Sequence, residues 1–307
     1  MRSPMRSPMR PTILNNNTTA TNTGKQNQSK PITNKEERVK VVVRIRPLNS
    51  RELSSNKIWK VNKENNTIHQ TTVDGMHQDG VHDVYEYAHT FDEESNTKEV
   101  YDCVGKPIVS AVLNNGEDGT ICAYGQTASG KTYTMQGLGV TSSSIEQQDG
   151  GGIIQMTAND IFTHINAHPT TQKFVVRVSY IEIYNEEVRD LLSTEPGDAK
   201  RNIREKDGIF FVEHSIDRVV YSMTELLEVV SDGEKNRSVG STQMNERSSR
   251  SHSILRITVE RRTPSSSVPT ISSLNLVDCE YGGACPLVSF LQYVPKISYS
   301  FVSSSTL

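Results

Sequence analysis

A three-layer α/β domain around a mixed central sheet is the fold class this 307-residue sequence predicts, and three features carry that prediction. Short β-branched runs alternate with helical patterns along most of the chain. One glycine-rich segment, Gly125-Gln126-Thr127-Ala128-Ser129-Gly130-Lys131-Thr132, fits the phosphate-loop pattern G-x-x-x-x-G-K-[ST] and stands between an apolar run and a helical one. A later apolar run, Ser273-Leu274-Asn275-Leu276-Val277-Asp278, ends in an acid. Together they place a nucleotide's phosphates at the end of a buried strand.

In chain order, alternation and β-branched content predict strands over residues 40–46, 58–61, 67–69, 85–91, 119–124, 173–184, 209–212, 219–222, 252–262 and 271–278. Helical spacing predicts helices over 97–113, 130–135, 153–167 and 223–236. The stretch 137–152, rich in Gly, Ser and Gln, reads as a flexible insertion near the loop. At 34% hydrophobic content the chain can bury a full core, and no run of 18 apolar residues suggests a membrane span. Cys103, Cys122, Cys279 and Cys285 have no paired metal spacing, and the first two read as reduced core thiols of a cytosolic protein. Histidines 69, 77, 82, 89, 164, 168 and 214 form no ligand cluster.

Within the loop, Gly125 and Gly130 let backbone N–H groups turn inward around phosphates. Lys131 then supplies a fixed positive charge to the β- and γ-phosphates, and Thr132 a hydroxyl to Mg²⁺. The helix starting there aims its positive end at the anion. A guanine reader needs N-K-x-D, and Asn34-Lys35, Asn56-Lys57 and Asn62-Lys63 all lack the Asp, so ATP is the expected nucleotide. About 115 residues on, Asn245-Glu246-Arg247-Ser248-Ser249-Arg250-Ser251-His252 precedes an alternating strand and forms a polar loop able to reach metal, γ-phosphate and water. Asp278 stands where an acid can hold a Mg²⁺-bound water.

These residues resemble the kinesin motor domain from about Val39 to Asp278. Val41-Val42-Val43-Arg44-Ile45-Arg46-Pro47 looks like the first strand with its R-x-R-P signature, and Phe91-Asp92 with Val100-Tyr101 like the stretch entering the first helix. Ala123 to Met135 is similar to the family's phosphate loop. Ser179-Tyr180-Ile181-Glu182-Ile183-Tyr184-Asn185-Glu186 is similar to its S-Y-x-E-I-Y-N-E strand, and Asn245 to His252 to its switch I, N-x-x-S-S-R-S-H. Ala128 and Thr132-Tyr133-Thr134-Met135 are most similar to the centromere-associated subgroup.

The resemblance implies an ATPase moving on microtubules, located in the cytoplasm and its cytoskeleton, with no nucleic-acid or membrane partner. It implies roles as well: Arg44 and Pro47 flank the adenine and Tyr133 lends a ring. Ser249 joins Thr132 on Mg²⁺, Ser248 and Asn245 hold the γ-phosphate and lytic water, and Arg237 stands by as a second cation. The work asked of them is positioning and charge stabilisation.

At switch II the pattern breaks. The family continues D-x-A-G-S-E, where the glycine N–H meets the γ-phosphate and the glutamate pairs with the switch I arginine. This chain reads Asp278-Cys279-Glu280-Tyr281-Gly282-Gly283, so Arg250 loses its expected partner. Glu280 lies three residues earlier than that glutamate and leaves its strand in another direction. From Cys279 to Leu307 only Glu280 and Lys296 are charged, against 22% for the chain. Nothing there resembles the helix cluster or last sheet strand that follows switch II in the family.

Three segments are therefore expected: 1–36 a disordered basic extension, 37–278 a partial motor domain, and 279–307 unrelated sequence joined by a splice variant, retained intron or frame error. The alternative for the last is a divergent hairpin with strands at 289–291 and 297–301. The alternative function is a non-motile nucleotide- and tubulin-binding module using residues 204–221, or a truncated product that does not fold. The extension repeats Met1-Arg2-Ser3-Pro4 as Met5-Arg6-Ser7-Pro8, and residues 1 to 35 hold six Lys or Arg and no acid. It is either a solvated tail or an arm for the acidic microtubule surface. A transit peptide shares its composition, but the prolines spoil an amphipathic helix.

Overall fold

The computed structural model describes residues 39–54, 59–70, 84–138, 151–168, 172–194, 200–206, 209–239, 251–280 and 297–304. Residues 139–150 of the loop expected to be flexible lie outside them, as do Asn245, Ser248, Ser249, Arg250 and Tyr281.

The chain opens with β1 (Val39–Arg44), β2 (Trp59–Asn62), β3 (Thr67–Gln70), β4 (Val84–Glu86) and β5 (His89–Phe91). The single strand expected over 85–91 is two, because this segment changes sheets midway. β4 pairs antiparallel with β3 in a small outer sheet, whereas β5 pairs parallel with β1. Between them Tyr87 N–H donates to Asn66 O and Ala88 N–H to Val41 O, so the crossing backbone remains satisfied.

A helix follows in three pieces: α1 (Thr97–Val100), a π-turn (Tyr101–Gly105) and α2 (Lys106–Asn115). Asn96 caps its start by accepting from Glu99 N–H, and Gly116 at φ 69° closes its end. Next come β6 (Asp118–Gly125), α3 (Lys131–Gln136), α4 (Ile153–Ala167), β7 (Lys173–Tyr184), β8 (Glu187–Asp190), β9 (Lys200–Arg201), β10 (Ile203–Lys206), β11 (Ile209–Val212) and β12 (Arg218–Val220). The last are α5 (Met223–Val239), β13 (Ser251–Arg262), β14 (Thr270–Glu280) and β15 (Ile297–Ser304).

The central sheet runs β5-β1-β15-β6-β14-β13-β7-β8-β9, with β12 on β7. Its β5-to-β14 half is parallel and the β14-β13-β7 half antiparallel, so the sheet is mixed as expected. Alternation sorts side chains between faces. Ile121, Ala123, Leu255, Ile257, Leu274 and Leu276 pack with α2, α4 and α5, whereas Cys122, Ile181, Ile254, Val277 and Cys279 form a smaller cluster on the other face. Among the described residues Cys103, Cys122 and Cys279 form no disulfide, the last two being buried, and no His/Cys/Asp/Glu metal cluster occurs.

The expectation that nothing after Asp278 supplies a last sheet strand is corrected. β14 continues through Cys279 to Glu280, and Ile297–Ser304 lies between β1 and β6, parallel to both, in registers such as Val42↔Val302 and Ser300↔Ile121. Ile297, Tyr299 and Phe301 alternate with serine, the period of a strand with two unlike faces. The hairpin alternative placed a strand here, but its partners are β1 and β6, while its other strand, 289–291, lies outside the described residues.

Candidate functional site

The site is assembled where β6 and β14 end side by side. Their parallel register sets Asp278 against Ala123 and Glu280 against Gly125, so both acids arrive where the chain leaves β6 to form the loop. The loop turns on Ser129 N–H donating to Gln126 O at 3.1 Å. Ala128 at φ 64° and Gly130 at φ 95° both adopt the left-handed region. Glycine does so freely, whereas alanine bears a strain held by its surroundings. One restraint is visible: Arg46 Nε donates to Ala128 O at 2.9 Å.

Lys131 turns back into the loop. It is 3% exposed, and its Nζ donates to Gln126 O at 2.8 Å and pairs with Glu280 Oε1 at 2.8 Å. Thr127 Oγ1 donates to Glu280 Oε2 at 3.2 Å, so one carboxylate spans the loop from residue 127 to 131. Thr132 Oγ1 donates to Asp278 Oδ2 at 2.8 Å. Among the described residues, Asp278 Oδ1 and Ser129 Oγ are buried with no hydrogen-bond partner. Buried oxygens of this kind are costly unless something arrives to satisfy them. The Thr132 hydroxyl, the Asp278 carboxylate behind it and the Ser129 hydroxyl are a donor set that fits a hard cation carrying phosphate and water.

Arg44 is buried, donating to Thr97 Oγ1 at 3.1 Å, Thr134 Oγ1 at 3.0 Å and Ser95 O at 3.3 Å. The Tyr133 ring, 38% exposed, has its centroid 5.6 Å from that guanidinium, and Pro47 is exposed. Arg44 and Tyr133 are thus brought together, with the arginine enclosed and the ring presented. Arg237 is engaged internally: on α5, it lies 3.7 Å from Glu182 and 3.8 Å from Glu234, and donates to Ser251 Oγ and Ser253 Oγ. Its guanidinium, raised in pKa by the neighbouring Tyr180, Glu234, Asp278 and Glu182 against the cost of burial, remains charged.

Sequence reasoning missed three participants. Arg46 joins the first strand to the loop and is itself clamped by Glu52 through two hydrogen bonds, at 2.8 and 2.7 Å, which hold that carboxyl down to about 2. His252 accepts Glu280 N–H on Nδ1 at 3.2 Å and fixes the end of β14. Glu280, which the sequence offers only as an early substitute partner for Arg250, lies on Lys131. The R-x-R-P signature contained Arg46, but no local pattern names the carbonyl it reaches 82 residues away.

A strand, a phosphate loop and an acid on the adjacent strand define the chain as a P-loop nucleoside-triphosphatase fold. A family model described as "Kinesin motor domain" matches residues 44–280. Kinesin-related protein 4 of Dictyostelium discoideum is 37% identical over 246 residues, covering 78% of this chain and 12% of that protein. Human Centromere-associated protein E is 40% identical over 250 residues, 78% of this chain and 8% of that protein. A solved fast kinesin, titled for its ATPase mechanism and interactions with microtubules, superposes with a TM-score of 0.74 at 27% identity, covering 87% of this chain and 85% of that one. The chain belongs to the kinesin motor-domain family and has its fold. It spans only about a tenth of the length of the first two relatives.

Proposed function

We propose that this chain binds Mg-ATP and hydrolyses it as a microtubule motor domain of the cytoplasmic cytoskeleton. The observation that carries the nucleotide part is the Thr132–Asp278 hydrogen bond beneath the loop, flanked by the unsatisfied Ser129 and Asp278 oxygens. Family membership and the likeness to a kinesin studied for its ATPase support the rest.

In this reading backbone N–H groups of residues 125–132 wrap the phosphates, Lys131 neutralises the terminal ones, and Thr132 with Ser249 holds the cation. Mg²⁺, if held there by Thr132 and Ser249, would supply neutralisation of the phosphate charge. Asp278 orients a water on the Thr132 side. Ser248 and Asn245 position the attacking water, Arg250 belongs to the same switch, and Arg237 acts through its field on Asp278 rather than by touching phosphate. The adenine lies against Tyr133 beside Pro47, with Arg44 bracing the ring from inside.

Hydrolysis is expected to be slow. Tyr281 stands where the family has the glycine whose N–H meets the γ-phosphate; tyrosine keeps an N–H, but its Cβ and ring hinder the close approach a glycine allows, and misplacing one such donor is worth about 10²–10³ in rate. The test is titration of a fluorescent ATP analogue into wild type and Lys131→Ala, with ATP and GTP as competitors, followed by ATPase assays with and without microtubules. Lys131→Ala is expected to weaken binding by about 2–3 kcal/mol, the scale of a charge-assisted hydrogen bond, and ATP to compete at least as well as GTP. Equal affinities for the two proteins would remove Lys131 from the site, and a clear GTP preference would remove the adenine pocket.

A further inference from the structure

Glu280, at the end of β14 and beside the loop, is a group that phosphate chemistry does not require. Its carboxylate makes the ion pair with Lys131 and accepts from Thr127, so it takes up the charge and one of the hydroxyls that line the phosphate path. Lys131 has three donors. One is spent on Gln126 O and one on Glu280, which leaves a neutralised ammonium where an anion has to bind. A triphosphate arriving with Glu280 in place would meet a like charge in a largely buried setting, where such juxtapositions are strongly unfavourable. The backbone beneath Glu280 cannot retreat easily. It is held in register against Gly125 and its N–H donates to His252 Nδ1. The side chain can: it is 12% exposed, four times as open as Lys131 at 3%.

We propose that the Glu280 carboxylate is an internal competitor for the nucleotide's terminal phosphates, a self-inhibitory contact that must leave Lys131 before ATP can occupy it. The inference rests on reading residues 125–132 as the nucleotide site. It makes Glu280 a determinant of affinity and of discrimination between ATP and ADP, because Lys131 addresses the β- and γ-phosphates and the γ-phosphate adds the charge that Glu280 opposes.

The test compares wild type, Glu280→Gln and Lys131→Ala as full-length chains, with dissociation constants for fluorescent ATP and ADP analogues in the presence of Mg²⁺. Glu280→Gln keeps shape and hydrogen bonding while removing the charge. It is expected to tighten ATP about tenfold or more and to tighten ADP less, while Lys131→Ala weakens binding by roughly 30- to 150-fold. A Glu280→Gln affinity equal to wild type, or a gain equal for the two nucleotides, overturns the competition while leaving the nucleotide site standing. Weaker Mg-ATP binding in Glu280→Gln makes Glu280 a supporting ligand and also overturns it. Failure of wild type and Glu280→Gln alike to bind, with Lys131→Ala no different, overturns the nucleotide reading itself. Should Glu280→Gln not fold, Glu280→Asp withdraws the charge from Lys131 by one methylene, and a gain in the same direction is the expected result; no gain overturns the proposal.

Discussion

His164 shows how one side chain carries a pH dependence that its sequence context conceals. It lies on α4 with its ring 4.7 Å from that of His168 and edge-on to Phe174, and its Nε2 is buried without a hydrogen-bond partner among the described residues. Burial first, and then the nearby His168 and Arg261, hold its pKa below the ordinary 6.5. The unfolded chain therefore takes up the proton first as pH falls. The stability tied to the neutral ring is fully present above about 6.5 and is lost as pH falls through that value toward the lower folded one. The melting temperature is expected to drop between pH 7.5 and 5.5, and His164→Leu, which cannot titrate, to drop less. A slope unchanged by His164→Leu would remove this residue from the acid response, leaving His89 and His252, whose pKa values burial also lowers. At this scale the sequence showed composition better than contact. Lys131, Thr132 and Asp278 were legible because phosphate chemistry fixes their spacing. Glu280 was not, since its role comes from the register of β14 on β6, which no local pattern records.

Among elements, α5 depends on a glycine in an unusual place. Gly233 lies mid-helix, where alanine would ordinarily stabilise by about 1 kcal/mol. A Cβ there would sit 2.3 Å from Tyr180 Cδ1, however, and Tyr180 on β7 is only 1% exposed with its hydroxyl bonded to Glu234. The glycine is the notch that lets the helix lie on the sheet. Gly233→Ala is expected to lower stability by roughly 1–3 kcal/mol, the usual cost of overpacking, despite its better helix propensity. Chemical denaturation measures it, and a stabilised variant would show that α5 can lift away from Tyr180 at no cost. Long elements with one clear period, such as β7, β13 and α4, were legible to within a residue or two. The segment from Val84 to Phe91 was not, because its alternation is continuous while its partners change from β3 to β1. Periodicity reports which faces a strand has; it does not report its neighbours.

For the whole molecule the decisive element is β15, which joins the β5–β1 pair to the phosphate-loop strand. The broken switch II pattern and the composition together set residues 279–307 apart, and low charge with β-branched and aromatic residues alternating with serine is equally compatible with a strand. Its place in the sheet concerns conformation and not origin. The functional consequence runs through β1, since Arg44 at its end reaches Thr134 on α3, and Arg46 just beyond reaches Ala128 in the loop. Removing β15 would open a strand-wide gap between β1 and β6 and leave both edges with unpaired N–H and C=O groups. A chain ending at residue 296 is therefore expected to lose several kcal/mol, a large share of the roughly 5–15 kcal/mol that stabilises a domain. Its β1 and β6 amides should lose hydrogen-exchange protection together, ahead of β13 and β7. Loop residues 125–132 should loosen with them and nucleotide affinity fall even though no loop residue has changed. If the shortened chain instead keeps the melting temperature, exchange pattern and ATP affinity of the full one, β1 and β6 do not need β15, and residues 297–304 are a passenger on the sheet.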